Sequence, residues 1–360
     1  MSPASTPASR DFLRRLTLAS GAPGSEGEVR GIVQEVFSDL GDVTHDRLGS
    51  VLCECTGSAD EPRVAIDAHM DEVAFLVQSI LPGGLLRFAA LGGWWGHVLP
   101  AQRVNVMTET GAVPGVIASK PPHFLTTAER EKVQTVEELF LDVGATSAEQ
   151  VAAFGIRVGD PILPHAEFLE MKDPDILSCK AFDDRAGVGI LCETMKRLGD
   201  GQHPNRVIGV GAVQEEVGLR GARTAHELAR PDVAIVLEGT PADDFPGAEV
   251  SQAVLGRGPQ VRLFDPTAIA NRRLVRLIEE TAAAEDIPLQ IAVRRTGGTN
   301  AGAIHLSRSG VPAAVIGVPA RYIHTHVGLI HWNDYQAAVD LTTAVARRLD
   351  AATVASLTAF

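Results

Sequence analysis

Histidines and carboxylates stand at the ends of apolar runs along this chain. His69 and Asp71 follow RVAIDA (63–68), Glu215 and Glu216 follow VIGVGAV (207–213), and Glu238 ends VAIVLE (233–238). Asp183 and Asp184 stand just before an apolar-faced segment, and His324 lies a few residues past PAAVIGV (312–318). Crowded carboxylates repel one another and lose hydration, so such a set is tolerable around a cation. Two His with three or more Asp/Glu suit a divalent ion such as Zn, Co or Mn. Two ions ~3.5–4 Å apart can share one carboxylate and one hydroxide, an assembly that hydrolyses acyl or phosphoryl bonds. Of the adjacent Glu215 and Glu216, one can ligate while the other takes a proton from water, because neighbours at a strand end point different ways.

Blander readings exist for each residue: a core histidine for His69 or His324, a helix cap for Asp183 or Asp184, a solvated pair for Glu215 and Glu216, a surface residue for Glu238. The short hydrolase and nucleotide signatures are absent from the sequence: no H-E-x-x-H, G-x-S-x-G, P-loop, C-x-x-C or dinucleotide fingerprint.

The elements that would carry these groups alternate. A helix is predicted after SGAPGS, with Ser25 and Glu28 fitting a capping box. Val29, Ile32, Val33, Val36, Phe37 and Leu40 form its apolar face, and Gly41 ends it. From Val73 to Gly159 the texture becomes Gly- and Pro-rich. VNVMT, GAVPGVIA and ELFLDVG read as strands and TSAEQVAAFG as one short helix. Beyond Pro161, strands at 207–213, 233–238, 288–293 and 312–318 alternate with helices at 184–198, 221–229 and 268–284. Asn333 or Asp334 is expected to cap a closing helix. Continuous apolar strands between helices predict an α/β fold with a mostly parallel sheet covered on both faces, and ligands bind outside the carboxyl ends of such strands. Residues 1–9, rich in Ser, Pro, Ala and Thr, are expected to fray.

Composition bounds the rest. The chain has 360 residues, 45% of them apolar, with 32 Lys plus Arg against 45 Asp plus Glu, a net charge of −13. That length predicts one large domain or two. The acidic balance argues against nucleic-acid or anionic-membrane partners. No apolar run approaches the ~20 residues of a membrane span, and the first residues do not read as a signal peptide. Cys53, Cys55, Cys179 and Cys192 are too few and too irregular for a disulfide scaffold, so a cytoplasmic setting is expected. Cys53 and Cys55 form C-x-C with no partner cluster.

Six segments occur in a telling order: AIDAHMDEVAFLV (65–77), KAFDDRAGVG (180–189), VQEEVGLRGA (213–222), EGTPADD (238–244), GGTNAGAIHLSRSGVP (297–312) and RYIHTHVG (321–328). Together they resemble the M42 metallopeptidases, the glutamyl, deblocking and TET-type aminopeptidases. GGWWGHVLPAQRV and SKPPH also resemble that family's inserted domain. The resemblance implies a three-layer αβα catalytic domain (1–72 and 161–360) and an inserted β-barrel-like dimerisation domain (73–160). It implies two divalent ions per subunit, Zn2+ first with Co2+ or Mn2+ as alternatives, and removal of N-terminal residues from short peptides. By the same resemblance, His69, Asp183, Glu216, Glu238 and His324 would hold the metals, with Asp183 bridging. Glu215 would be the general base, Asp71 would orient His69, and Asp184 would support the site. The family also suggests dimers assembling into a hollow dodecamer that admits peptides and excludes folded proteins.

Two positions depart from the family pattern. Glu238 stands where many relatives carry Asp, and Asn300 stands where Asp is usual, removing a charge expected near the substrate pocket. His326 and His331 read as structural or supporting, Trp94 and Trp95 as packing of the insertion or an oligomer contact, and Gly297–Gly298 as a turn that can let substrate approach the backbone. Competing functions remain at this stage. A carboxypeptidase or deacylase on the same core would need a cation such as Arg220 or Arg321. An endoglucanase-like glycoside hydrolase could use paired carboxylates, although the aromatic content is 5%. A non-catalytic shell would leave the cluster idle.

Overall fold

The apolar runs that end in polar residues lie side by side. In the computed structural model, which describes residues 7–248 and 250–359, four strands form a parallel centre: Arg63–His69, Arg206–Ala212, Val233–Pro241 and Ala313–Arg321. The Arg63–His69 strand pairs in parallel with both Arg206–Ala212 and Val233–Pro241, and the latter pairs in parallel with Ala313–Arg321. Ala212 lies opposite His69 and Glu238 opposite Gly317. Parallel register brings the carboxyl ends of all four strands to one edge, where His69, Glu215, Glu216, Glu238 and His324 emerge.

The margins of the sheet are antiparallel, so the 12-stranded sheet is mixed rather than parallel throughout. Val51–Thr56 flanks Arg206–Ala212, while Gln260–Asp265 and Gly328–His331 flank Ala313–Arg321. Parallel strands must be covered on both faces. On one face, helices Gly27–Phe37, Phe182–Leu198, Arg272–Ala284 and Trp332–Arg348 join a core that holds Phe37, Ile190, Leu274 and Tyr335 with Ile66, Leu237 and Ile316. On the other, the shorter Arg220–Ala229 and Ala301–Ile304 helices set Ala222, Ala301 and Ile304 with Ala65, Ala234 and Val315. Ala65 and Ile66 face opposite ways because strand side chains alternate. Each fully buried Ile or Leu contributes ~1.5–3 kcal/mol, so both faces select apolar residues and the runs lose their alternation.

The Gly- and Pro-rich stretch forms a closed barrel of Ala74–Ile80, Leu86–Leu91, Phe140–Asp142, Gly111–Ala118, Arg103–Thr108 and Pro161–Pro164. Its own core contains Phe75, Phe88, Val106, Ile117 and Leu141. Closure leaves no strand edge open to pairing, which a sheet so rich in turns needs. The last barrel strand, Pro161–Pro164, lies past residue 160.

Several local starts and stops differ from the sequence reading, and the helix expected to end at Gly41 stops at Phe37, short of Leu40. The Gly27–Phe37 helix begins after Glu26 with no side-chain cap, and Glu28 instead accepts the backbone N–H of Ser20 at 2.8 Å. Thus Ser25 and Glu28 form no capping box. The segment from Ala268 opens as a short strand, Ala268–Ile269, and the helix Arg272–Ala284 starts after Asn271, whose side chain accepts the N–H groups of Arg273 and Leu274. The closing helix Trp332–Arg348 is capped by His331, whose Nδ1 accepts the N–H of Asn333. Asp334 turns away to accept the N–H groups of Gly256 and Gly258 at 2.7 Å each. At the amino end, Pro7–Leu18 is helical, and residues 1–6 of the segment expected to fray lie outside the described residues.

Candidate metal centre

Asp183 lies between the two histidines. Its Oδ1 is 3.1 Å from His69 Nε2 and its Oδ2 is 3.2 Å from His324 Nε2. Glu238 Oε1 lies 3.3 Å from His69 Nε2, and Glu216 Oε1 lies 3.2 Å from His324 Nε2. Two triads result, His69–Asp183–Glu238 and His324–Asp183–Glu216, each with ligand atoms close enough to hold one ion. Glu215 belongs to a third grouping with His69 and Glu216 and lines the same cleft. All six residues expected at the centre from the sequence are therefore brought together.

Local backbone geometry delivers them. Asp183 and Asp184 sit at a kink at the start of the Phe182–Leu198 helix, with non-helical dihedrals. This turns Asp183 toward the histidines while Asp184 faces inward. Asp184 Oδ2 accepts the backbone N–H of His69 at 3.1 Å, and its Oδ1 accepts that of Gly187 at 3.0 Å, capping the helix. His69 Nδ1–H donates to the Asp71 backbone carbonyl at 3.1 Å, with the Asp71 carboxylate at 3.4 Å. The Asp71 carboxylate itself accepts the N–H groups of Glu215 and Glu216 at 2.9 and 3.1 Å. His324 Nδ1–H donates to the carbonyl of Gly93 at 2.8 Å. Each imidazole thus presents Nε2 to the carboxylates, the usual arrangement for a metal ligand.

Electrostatics match a cation site. Burial lowers the affinity of both histidines for a proton, but their neighbours more than offset it. Glu238, Asp183 and Asp71 hold His69 well above its ordinary value, and Asp183 and Glu216 push His324 up to about 11. Burial raises Asp183, yet hydrogen bonds from His324 and His69 leave it far below the usual carboxylate range. Glu238 is pushed up to about 7 by burial and then by the Asp183 charge, and Glu216 is also raised by burial. Burial holds Glu215 well above the usual range, with Glu238, Glu216 and Asp71 adding repulsion. Two buried oxygens, Glu216 Oε1 and Glu238 Oε1, have no hydrogen-bond partner. Unsatisfied buried carboxylate oxygens are costly; each of these two belongs to one triad and faces a histidine Nε2, so a cation held there would satisfy it. The N/O donor set fits two borderline divalent cations.

The cleft over the triads has a volume of about 950 Å³ with its mouth, and its far wall includes Thr267, Thr296, Gly297, Gly298 and Arg262. Arg262 was not anticipated from the sequence. It is buried in the Gln260–Asp265 strand, donates from Nη1 to Asp265 at 3.2 Å, and leaves Nε without a partner. The signal in QVRLFD is weak, because the arginine falls at a polar position of a short alternation, as an exposed strand residue would. A second unanticipated group is the buried Glu72 carboxylate, which accepts Lys180 Nζ at 2.5 and 2.8 Å and Arg185 Nη2 at 3.1 Å. It joins the segment bearing His69 and Asp71 to the segment bearing Asp183.

Other singled-out residues fall elsewhere. Asn300 is 1% exposed, and its amide donates to Asp67 at 2.7 Å instead of facing substrate. Asp67 in turn pairs with His226 at 3.0 Å. Arg321 is bound through Nε and Nη2 by Asp244 at 2.8 Å each, and Arg220 is exposed with one contact to Gln214 at 3.4 Å; neither lines the cleft over the triads. Trp94 stacks on Phe75 in the barrel, while Trp95 is 62% exposed. His326 is buried beside Trp94, and His331 caps a helix.

An αβα sheet with paired His/carboxylate triads at its carboxyl edge, joined through one aspartate, defines a hydrolase of the two-metal class. The family model described as M42 glutamyl aminopeptidase matches residues 49–341. The chain belongs to that family and is a metal-dependent aminopeptidase. It is 34% identical to the glutamyl aminopeptidase of Lactococcus lactis subsp. cremoris over 351 residues, 96% of this chain and 98% of that protein. Among solved structures, a TET aminopeptidase from the marine sediment archaeon Thaumarchaeota archaeon SCGC AB-539-E09 is 42% identical with a TM-score of 0.95, over 98% of this chain and 100% of that one. The Pyrococcus horikoshii TET1 peptidase, which assembles into a tetrahedron or an octahedral shell, is 32% identical with a TM-score of 0.84 over 95% and 100% of the two chains. Among the described residues no helix is long and apolar enough to cross a membrane.

Proposed function

We propose that this aminopeptidase removes acidic residues from the N-termini of short peptides, using two ions held by His69, Asp183, Glu216, Glu238 and His324. The observation that carries the reading is the placing of one Asp183 oxygen against each histidine, at 3.1 and 3.2 Å. When bound, the ions polarise the scissile carbonyl and acidify the attacking water. Glu215 accepts the proton of that water on its carboxylate and delivers it to the departing amine. Its position in the cleft beside His69 and Glu216 supports this role. The surrounding carboxylates favour the free α-ammonium group of the substrate, which makes the enzyme an exopeptidase.

Arg262 supports the acidic preference. Unlike Arg321 it lines the cleft, and although Nη1 pairs with Asp265 at 3.2 Å, its Nε has no partner within the protein, so the guanidinium can also take a substrate carboxylate. The same charge disfavours Lys or Arg at that position. Zn2+ is the first candidate ion, with Co2+ or Mn2+ as alternatives. The barrel insertion (73–160) is proposed to mediate dimers that assemble further into a hollow dodecamer. The free state of all four cysteines supports a reducing, cytoplasmic setting.

Chelation followed by metal return, with matched peptides, tests the proposal. Chelator should abolish release of the first residue, and added Zn2+, Co2+ or Mn2+ should restore it. Peptides starting with Glu or Asp should be cleaved fastest, and their N-acetylated forms should resist. Full activity after metal removal would contradict the mechanism, and a preference for Lys would contradict the role of Arg262.

A further inference from the structure

The two halves of the metal centre are supported differently. His69 is held within the αβα layers: its Nδ1–H donates to Asp71, and its backbone N–H donates to Asp184. His324 has weaker support from its own segment. It lies in the loop after the Ala313–Arg321 strand, in the left-handed region at φ +56°, with a side chain 31% exposed. What fixes its ring comes from the barrel. The Leu86–Leu91 strand runs into Gly92 and Gly93, and the Gly93 carbonyl accepts His324 Nδ1–H at 2.8 Å. Gly92 abuts the other ligand of this triad. A Cβ placed on Gly92 would lie 3.2 Å from Glu216 Oε2, 3.3 Å from Glu216 Cβ and 2.7 Å from Val73 Cγ1. At φ +85° its backbone also favours glycine. A Cβ on Gly93 would lie 3.4 Å from His324 Nδ1. Trp94 anchors the turn, donating from its indole N–H to the Ala74 carbonyl at 3.1 Å and stacking on Phe75 at 4.7 Å.

We infer that the Gly92–Gly93 turn of the barrel positions the His324–Glu216 half of the centre, so that this ion depends on the barrel while the ion at His69–Glu238 does not. This rests on the ligand assignment proposed above. The carbonyl of Gly93 fixes the His324 tautomer with Nε2 free to face Asp183 and Glu216. The missing side chain of Gly92 leaves Glu216 room to turn toward the same point. Both glycines are positioning residues, acting through His324 and Glu216. The barrel is then part of the active site as well as an attachment to it.

Metal content of the full-length protein separates the two ions. Wild type, Gly92→Ala, Gly93→Val and the barrel control Gly83→Ala, whose Cβ would meet nothing within 4 Å, are loaded with Zn2+ and dialysed against graded chelator. Ions per chain are then counted by elemental analysis, with thermal melts to confirm folding. Wild type and Gly83→Ala should hold two ions. Gly92→Ala and Gly93→Val should release one of them at about 10–100-fold lower chelator and keep the other at wild-type resistance. The retained ion should match the one that remains in His324→Ala. If Gly92→Ala does not fold, Gly93→Val carries the test: its Cβ sits at an ordinary contact distance from His324, and its Cγ atoms crowd the ring that the Gly93 carbonyl holds. Folded variants that keep both ions as wild type does, or shed both together, overturn the inference. Wild type holding fewer than two ions overturns the proposed centre itself, a failure visible before any variant is compared.

Discussion

The Asp71 carboxylate accepts the backbone N–H of Glu215 at 2.9 Å, joining residues 144 apart in sequence. Its other oxygen accepts the N–H of Glu216 at 3.1 Å. The residue two past His69 therefore sets where the proposed base and the neighbouring ligand stand. Asp71→Asn replaces one acceptor by a donor that faces an N–H group. One buried N–H then loses its partner, at a cost of about 1–3 kcal/mol. Because Glu215 acts on the reacting water, kcat should fall roughly 10–100-fold with a smaller change in KM. Steady-state kinetics and denaturant melts check both, and an unchanged kcat would rule out the positioning role.

Metal uptake should expel protons. In the metal-free chain His324 is pushed up to about 11 and His69 lies well above its ordinary value, so both are protonated at pH 7. A metal needs both Nε2 lone pairs, and binding must displace those protons. Titration calorimetry in two buffers of different ionisation enthalpy should report release of more than one proton per chain at pH 7. Affinity should weaken as pH falls, because protons compete. Uptake with no proton release would show that these histidines do not ligate.

Arg262→Leu should lower kcat/KM for peptides beginning with Glu or Asp by about 10–100-fold, the worth of a charged hydrogen bond at roughly 1.5–3 kcal/mol. Peptides beginning with Leu should change little. A uniform loss across both sets would indicate a structural role, and an unaltered preference would remove Arg262 from recognition.

Glu72→Gln leaves Lys180 and Arg185 buried without their counter-charge. Breaking a buried pair this way costs about 3–5 kcal/mol. Burial already lowers the proton affinity of Lys180 below its ordinary value, with Glu72 opposing that effect. Without Glu72 the lysine falls further, so the unfolded chain binds a proton that the folded chain does not. Stability of the variant, relative to wild type, should therefore rise with pH. Urea melts at pH 6 and pH 9 check this, and a penalty independent of pH would contradict it.

The catalytic edge was legible because strand ends show directly in sequence. An apolar run that stops at His69 or Glu238 marks both the strand and the end that faces the site, although both residues are buried and the second strand runs on to Pro241. Parallel order then follows from the intervening helices. The antiparallel margins were less legible, since short strands such as Gln260–Asp265 carry neither length nor pure alternation, and Arg262 was lost with them. Helix starts failed where the partner is remote: Glu28 bonds Ser20, Asp334 bonds Gly256 and Gly258, and no local pattern encodes these choices. Asn300 shows the same limit. Its neighbours in GGTN suggest a substrate loop, yet its side chain points to Asp67 across 233 residues of sequence. The Glu72–Lys180–Arg185 cluster hides for a related reason, because its charges pair only once two distant segments meet.

Glu215→Gln, assayed for metal content and turnover in the same preparation, tests the centre most directly. The substitution keeps the shape of the side chain and removes only its ability to take a proton. Two ions per chain should remain, while kcat on a Glu-initiated peptide falls by about 100–10,000-fold. A variant that retains wild-type turnover, or one that loses its ions along with its activity, would contradict the assignment of Glu215 as the base beside an independently held pair of metals.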